Sequence, residues 1–254
     1  MNDRIEKLVE KTVAGQMFVY PVKTEYDRCD LFLPPIKMSA KRVCEYIRNQ
    51  EPLIAEESCF TGLLTFDSSV EGDIFNRNGH RNFGIAFKNF YNKPVDNLLT
   101  FEWQHSAGDF GKILGGGISG IKQEIQESAR HHKDDQEALE FLETQTDICD
   151  AVIDWAHKCS EKARRIAKTA ANESCKKNLE RLSRSLKNVP EKPAQSFYEA
   201  ILSLYVCYGL LPDSIGLIDR YLYPYYKADI ESGILTKEEA SAYLQELFLM
   251  QNLN

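Results

Sequence analysis

DQEALEFLETQTDICDAVIDWAHKCSEKARRIAKTA, residues 135–170, decides the fold class. Ile148, Val152, Trp155, Ala156, Cys159, Ala163, Ile166, Ala167 and Ala170 recur three and four apart, with charged residues between them. That is the period of an α-helix with one apolar stripe, so the spacing predicts a long amphipathic helix crossing the protein.

Toward the C-terminus, Leu179, Leu182 and Leu186 predict a second helix, ended by Pro190 and Pro193. The next segment, from Phe197 through Ile201, Leu204 and Tyr205 to Gly209, is nearly all apolar and reads as a helix buried on several sides. With no polar face, it is expected to make the isolated chain poorly monomeric, as a homo-oligomer or an aggregation-prone species. Pro212 to Gly216 reads as a turn, and Pro224 in IDRYLYPYYKADIESG permits a kink or a new helix start. Thr236 and Glu239 form a capping box ahead of the apolar face Ala240, Tyr243, Leu244, Leu247 and Phe248.

Toward the N-terminus, Ile113, Leu114, Ile118, Ile121 and Ile125 keep helical spacing across an inserted triple glycine, 115–117. Glycine in a helix interior costs about 0.5–1 kcal/mol against alanine, so either another element packs very close there or the helix is interrupted. A phosphate-cradling loop would need GK[ST] or GxGxxG after a strand, and neither is present. Residues 59–92 mix aromatic and β-branched residues with Gly62, Gly72, Gly79 and Gly84, which argues for turns, irregular backbone and one or two short strands. Ser39 is placed to cap a helix carrying Val43 and Ile47 that stops before Pro52, and Ile5, Leu8, Val9 and Val13 predict a short opening helix. The fold class expected is mainly α with a few short strands.

The 43% hydrophobic content over 254 residues is enough to bury a real core. A net charge of -7 gives no footprint for nucleic acid, and no segment reaches roughly 18 consecutive apolar residues, so no membrane span is expected. Seven cysteines without a CxxC pair read as reduced thiols packed as small hydrophobes, which with the charged N-terminus points to the cytoplasm. Cys59 is the exception left open as a reactive thiol.

Three places carry candidate chemistry. His80, in the glycine-flanked NGHRN, is either a proton shuttle or a solvent-facing turn residue. His105 and Asp109 stand four apart at a helix entrance: Asp109 either orients the imidazole toward a ligand or belongs to a capping network. Asp213, Ser214 and Asp219 form a polar knot between two apolar segments, so they cap a helix or face something bound in a cavity. Asp213 reads as a cap and Ser214 stays open. His131, His132 and His157 read as surface residues.

The order of CFTGLLTFDSSVEGDIFNRNGH (59–80), QHSAGDFGKILGGGISGI (104–121), FYEAILSLYV (197–206) and DSIGLIDRYLYPYYKADIESGILTKEEA (213–240) resembles the glycyl-radical enzymes of the pyruvate formate-lyase family. The resemblance runs from about residue 39 to the end, and its last segment is the most specific. It implies a cytosolic enzyme of anaerobic metabolism, built as a ten-stranded α/β barrel wrapped in helices with the site inside. It implies a radical on a backbone glycine, passed to a cysteine, and an activating partner that uses S-adenosylmethionine and an iron–sulfur cluster. No metal is implied in the chain itself.

Carried over residue by residue, His105 and Ser214 are the substrate-binding candidates, with Asp109, Gly216 and Asp219 as structural support. Gln104 and Leu217 stand where a glycine and an arginine are usual in the family. No R-V-x-G-Y loop and no cysteine in the barrel-loop context occurs in these 254 residues, so no catalytic residue is assigned. The expectation is therefore an N-terminal, barrel-incomplete portion, from an excised domain, a split gene or a truncated gene. It would be inactive alone and completed by a C-terminal partner chain for radical C–C or C–O cleavage of a small polar substrate, as a formate acetyltransferase or a dehydratase. The rivals are a non-catalytic helical assembly subunit derived from that family and an unrelated metal-binding protein using His105 and Asp109.

Overall fold

The computed structural model describes residues 3–13, 32–62, 108–210 and 214–251. Eight helices make up the described residues: α1 (Asp3–Val13), α2 (Pro35–Asn49), α3 (Phe110–His131), α4 (Gln136–Ala167), α5 (Glu173–Leu186), α6 (Phe197–Gly209), α7 (Ile218–Glu231) and α8 (Lys237–Gln251). The strands expected between residues 59 and 92 would lie almost wholly outside the described residues, as do His80, His105 and Asp213.

Helix α4 is the predicted long helix, within a few residues of both expected ends. At 1.5 Å per residue it runs about 48 Å, and α2, α3 and α5 pack along it. Its buried stripe is mostly small, with Ala151, Ala156, Cys159, Ser160, Ala163 and Ala167 around the single large Trp155. Small residues allow α5 to approach closely enough for Ser160 Oγ to donate to the Ser183 carbonyl at 2.6 Å. Asp135 caps α4 by accepting from the Ala138 amide, and Asn172 and Ser196 cap α5 and α6 in the same way.

Helix α2 begins earlier than its sequence suggests. Ser39 is not its cap: the helix starts at Pro35, whose missing N–H and fixed φ suit the first helical position. In α7, Pro224 lies inside the helix without ending it. It is exposed, so the carbonyl it leaves without a helical donor is open to water. The capping box of α8 forms as expected, with Glu239 N donating to Thr236 Oγ1 at 3.1 Å and Thr236 N to Glu239 Oε2 at 2.9 Å.

Helix α6 is buried over nearly its whole length, as its composition requires. Its cover among the described residues is the chain's own α3, α7 and α8. Asp229 of α7 reaches across to the start of α6, where its Oδ2 accepts from the Phe197 amide at 2.8 Å.

The triple glycine resolves into two different situations. Gly117 has φ +66 and ψ 175, which breaks α3 into two stretches. The segment after α5 enters this break. Ile118 N donates to the Pro190 carbonyl at 2.8 Å, Ser119 N to the Glu191 carbonyl at 2.9 Å, and Ala194 N to the Leu114 carbonyl at 3.0 Å. A Cβ on Gly117 would lie 2.4 Å from the Glu191 oxygen and 2.5 Å from the Lys192 carbonyl carbon. Nothing lies within 4 Å of a Cβ on Gly115 or Gly116. Both readings of the glycines therefore hold at once: the helix is interrupted, and another segment packs against it.

Urea unfolding followed by circular dichroism should separate these glycines. Gly117→Ala combines a left-handed backbone with backbone overlap and is expected to cost about 2–4 kcal/mol. Gly115→Ala should instead be neutral or gain about 0.5–1 kcal/mol.

Candidate functional site

Two segments singled out in the sequence meet at one end of the bundle. Asp109 is the N-cap of α3, its Oδ1 accepting from the Lys112 amide at 3.0 Å. Of its two readings, the described geometry realises the cap. Phe110, fully buried, then meets Tyr221 of α7 edge-on, with ring centroids 6.2 Å apart at 62°. A Cβ on Gly111 would lie 3.5 Å from both Asp109 Oδ1 and Tyr221 Cδ1. The tyrosine ring and the Asp109 carboxylate thus both flank a backbone position without a side chain.

Ser214 and Gly216 lie just ahead of α7. Ser214 is half-buried, and its Oγ accepts from the Gly216 amide at 3.2 Å. Gly216 has φ +67, a conformation that costs an L-residue roughly 1–2 kcal/mol, so glycine is favoured there. Leu217 occupies the N-cap position of α7 and supplies no side-chain cap. Asp219, exposed in the first turn, complements the positive end of the helix dipole.

A second polar centre had no prediction attached to it. Glu246 of α8 is fully buried and forms an ion pair with Arg4 of α1. Its Oε1 accepts from Ser58 Oγ at 2.6 Å and from the Cys59 amide at 2.7 Å. The same short loop is gripped from three more directions. Asn178 Nδ2 donates to the Ser58 carbonyl at 2.6 Å, Tyr198 Oη to the Cys59 carbonyl at 2.6 Å, and Tyr205 Oη to the Thr61 carbonyl at 3.0 Å. Arg181 stacks over the Tyr198 and Tyr243 rings, with 4.6 and 5.1 Å to the centroids, and donates to Asn178 Oδ1 at 2.8 Å. Beside this network lies a cavity of about 590 Å³ walled by Arg4, Lys177, Arg181, Arg184, Glu238 and Tyr243. A sequence signal for Glu246 existed: a carboxylate three after Tyr243 and four before Met250 stands in register with an apolar stripe. Asp229, seven after Leu222 on the buried side of α7, gives the same signal.

The surroundings of Cys59 disfavour its thiolate. Burial raises its pKa well above the ordinary thiol value and the Glu246 carboxylate adds to this, against the pull of Arg4 and Arg181. Burial likewise pushes Cys44 and Cys149 to about 11 and Cys207 to about 12. Among the described residues no group of three or more His, Cys, Asp or Glu is placed to hold a metal, and no helix is long and apolar enough to cross a membrane. His131 and His132 are exposed, and His157 Nε2 lies 3.1 Å from Glu191 Oε2 at the edge of α4.

The family described as pyruvate formate lyase-like matches residues 97–254. The isethionate sulfite-lyase of Bilophila wadsworthia is 33% identical over 175 residues, which are 64% of this chain and 21% of that protein. The glycerol-bound form of the B12-independent glycerol dehydratase from Clostridium butyricum superposes with a TM-score of 0.81 at 18% identity, over 100% of this chain and 40% of that one. A glycyl radical enzyme from Archaeoglobus fulgidus gives a TM-score of 0.73 at 20% identity, over 98% and 40%. The chain thus spans about a fifth of the length of the curated relative and two fifths of these solved structures, whose likeness is one of fold.

Two outcomes follow for stability. Glu246→Ala removes the carboxylate that pairs with Arg4 and accepts from Ser58 and Cys59, leaving Arg4 its bond to the Glu57 carbonyl, and is expected to lower stability by about 2–4 kcal/mol in urea unfolding. Thiols raised in the folded state favour it fully below their unfolded pKa, near 9.0, and this contribution is lost as pH rises through about 11 to 12. The urea midpoint should therefore fall across that alkaline window, and less steeply in a Cys207→Ala variant.

Proposed function

We propose, from the premise that this chain belongs to the pyruvate formate lyase-like family, that it forms the substrate-facing helical shell of a glycyl-radical enzyme of the lyase or dehydratase type. The observation that carries this reading is the meeting of the two motif segments at Phe110, Gly111 and Tyr221, which brings the start of α3 against the first turn of α7.

In this reading His105 and Ser214 are the substrate-binding residues. A hydroxyl that accepts a backbone amide keeps its own proton as a donor, so Ser214 offers Oγ–H to a hydroxyl or anionic group of a small polar substrate. The His105 imidazole holds or accepts a proton on the same substrate. Asp109, Gly216 and Asp219 act as support, by capping α3, turning the chain and steadying the start of α7. The radical chemistry itself, hydrogen abstraction by a thiyl group regenerated from a glycyl radical, belongs to a part of the fold that these 254 residues do not include. An S-adenosylmethionine-dependent iron–sulfur activating enzyme is the partner that would install the radical.

The 254 residues treated anaerobically with such an activating enzyme, S-adenosylmethionine and reductant should show no glycyl-radical signal by electron paramagnetic resonance and no turnover of isethionate, glycerol or 1,2-propanediol. Joined to a polypeptide carrying the radical glycine and the thiol loop, they should support both. In that assembly His105→Ala and Ser214→Ala are each expected to lower kcat/KM about 10- to 100-fold, the equivalent of one lost hydrogen bond to a buried polar group. A radical signal from the 254 residues alone, or unchanged turnover in both variants, would refute the assignment.

A further inference from the structure

Helices α7 and α8 both pack on α6 and make little contact with each other, which leaves a groove between them. Its walls follow helical spacing: Leu222 and Tyr226 stand four apart along α7, as Leu244 and Phe248 do along α8. Phe197, buried at the start of α6, meets Tyr226 edge-on with 5.6 Å between ring centroids. The cavity is about 290 Å³, and its lining is almost wholly apolar, with the exposed Asp219 at its edge.

Two of the rings that line this recess are left open to solvent. Tyr223 is 60% exposed and Phe248 48%, and large apolar side chains gathered around one recess, rather than scattered singly, mark an interaction surface. A small polar substrate finds no converging donors or acceptors there, and the volume falls below the roughly 300–1,000 Å³ of ligand pockets. A protein surface with an apolar centre fits it better. In the glycerol dehydratase fold these 254 residues account for two fifths of the chain, so three fifths of that fold lies outside them and has to pack against the bundle. We propose that the groove between α7 and α8 is the docking surface for this remainder of the glycyl-radical fold, which seats apolar side chains between Leu222 and Leu244. The proposal rests on the reading of the chain as the helical shell of such an enzyme, and it adds the place where the other part joins. Ile218 and Asp219, at one end of the groove, follow closely on the Ser214–Gly216 turn. The docked part therefore lies near the residue read as a substrate contact.

Hydrogen exchange tests this by comparing the free chain with the same chain joined to the remainder of the Bilophila wadsworthia isethionate sulfite-lyase. Joining should slow exchange at least 10-fold on both walls, residues 218–226 and 240–250. No slowing, or slowing elsewhere in the bundle without both walls, overturns the proposal. Tyr223→Glu places a charge on the exposed wall and should undo the slowing, whereas Phe141→Glu, at an exposed ring on α4, should leave it intact. In the free chain Tyr223→Glu should leave the urea midpoint nearly unchanged, because the ring is exposed there. A midpoint lowered as much in the free chain as in the joined one makes Tyr223 part of the bundle's own packing and also overturns the proposal. Light scattering of the free chain separates a second copy from the proposed occupant. Dimerisation that Tyr223→Glu abolishes assigns the groove to that copy; a monomer, or a dimer indifferent to Tyr223→Glu, upholds the proposal. Slowing on both walls with unchanged turnover in His105→Ala and Ser214→Ala refutes the substrate reading and leaves the docking surface standing. Lowered turnover in those variants without the slowing does the reverse.

Discussion

The Glu246 carboxylate, fully buried in α8, holds together parts of the chain that sequence places far apart. It pairs with Arg4 in the opening helix and accepts two hydrogen bonds from the loop at Ser58 and Cys59, so the first helix, that loop and the last helix converge on one charge. A carboxylate taken out of water is tolerated only when its lone pairs are matched, and here the guanidinium, a hydroxyl and an amide match them. Tyr198 and Tyr205 then tie the same loop to α6, the most buried helix of the bundle.

The break in α3 shows a second way of satisfying buried polar groups. A helix interrupted at Gly117 would leave amides and carbonyls without partners, and the segment after α5 supplies them from its own backbone. Helix and segment are thereby locked to each other through main-chain bonds, whose donors and acceptors do not depend on side-chain identity. Only the missing Cβ of Gly117 is specific, because backbone atoms of Glu191 and Lys192 occupy the space that it would need.

These constraints bear on the site through α3 and α7. The first stretch of α3 carries Asp109 and Phe110, and its placement follows from the lock at Gly117 further along the same helix. Helix α7 is held against α6 by the Asp229 cap on Phe197 and against α3 by Tyr221. The turn at Ser214 therefore inherits its position from contacts made well away from it. Cys59, which its sequence left open as a reactive thiol, belongs to the structural anchor instead: surrounding cations did not outweigh burial and a neighbouring carboxylate.

The sequence by itself determined the helices and the family. Apolar spacing located α4, α5 and α6 within a few residues, because a stripe with a period of 3.6 is a property of the local chain. The capping box of α8 was legible because both of its partners lie within one turn. The start of α2 was misplaced because Ser39 and Pro35 offer competing local signals, and the fixed φ of proline at the first helical turn prevailed. His105 and the glycine-dense segment were read from sequence and lie outside the described residues. Only the tertiary structure decided that Glu246 is an anchor, that Gly117 differs from Gly115 and Gly116, that α6 is covered by its own chain and that Tyr221 joins the two motif segments. Each depends on atoms brought together across tens to hundreds of residues, and local periodicity carries no record of which distant group will meet a given carboxylate, bare backbone position or ring.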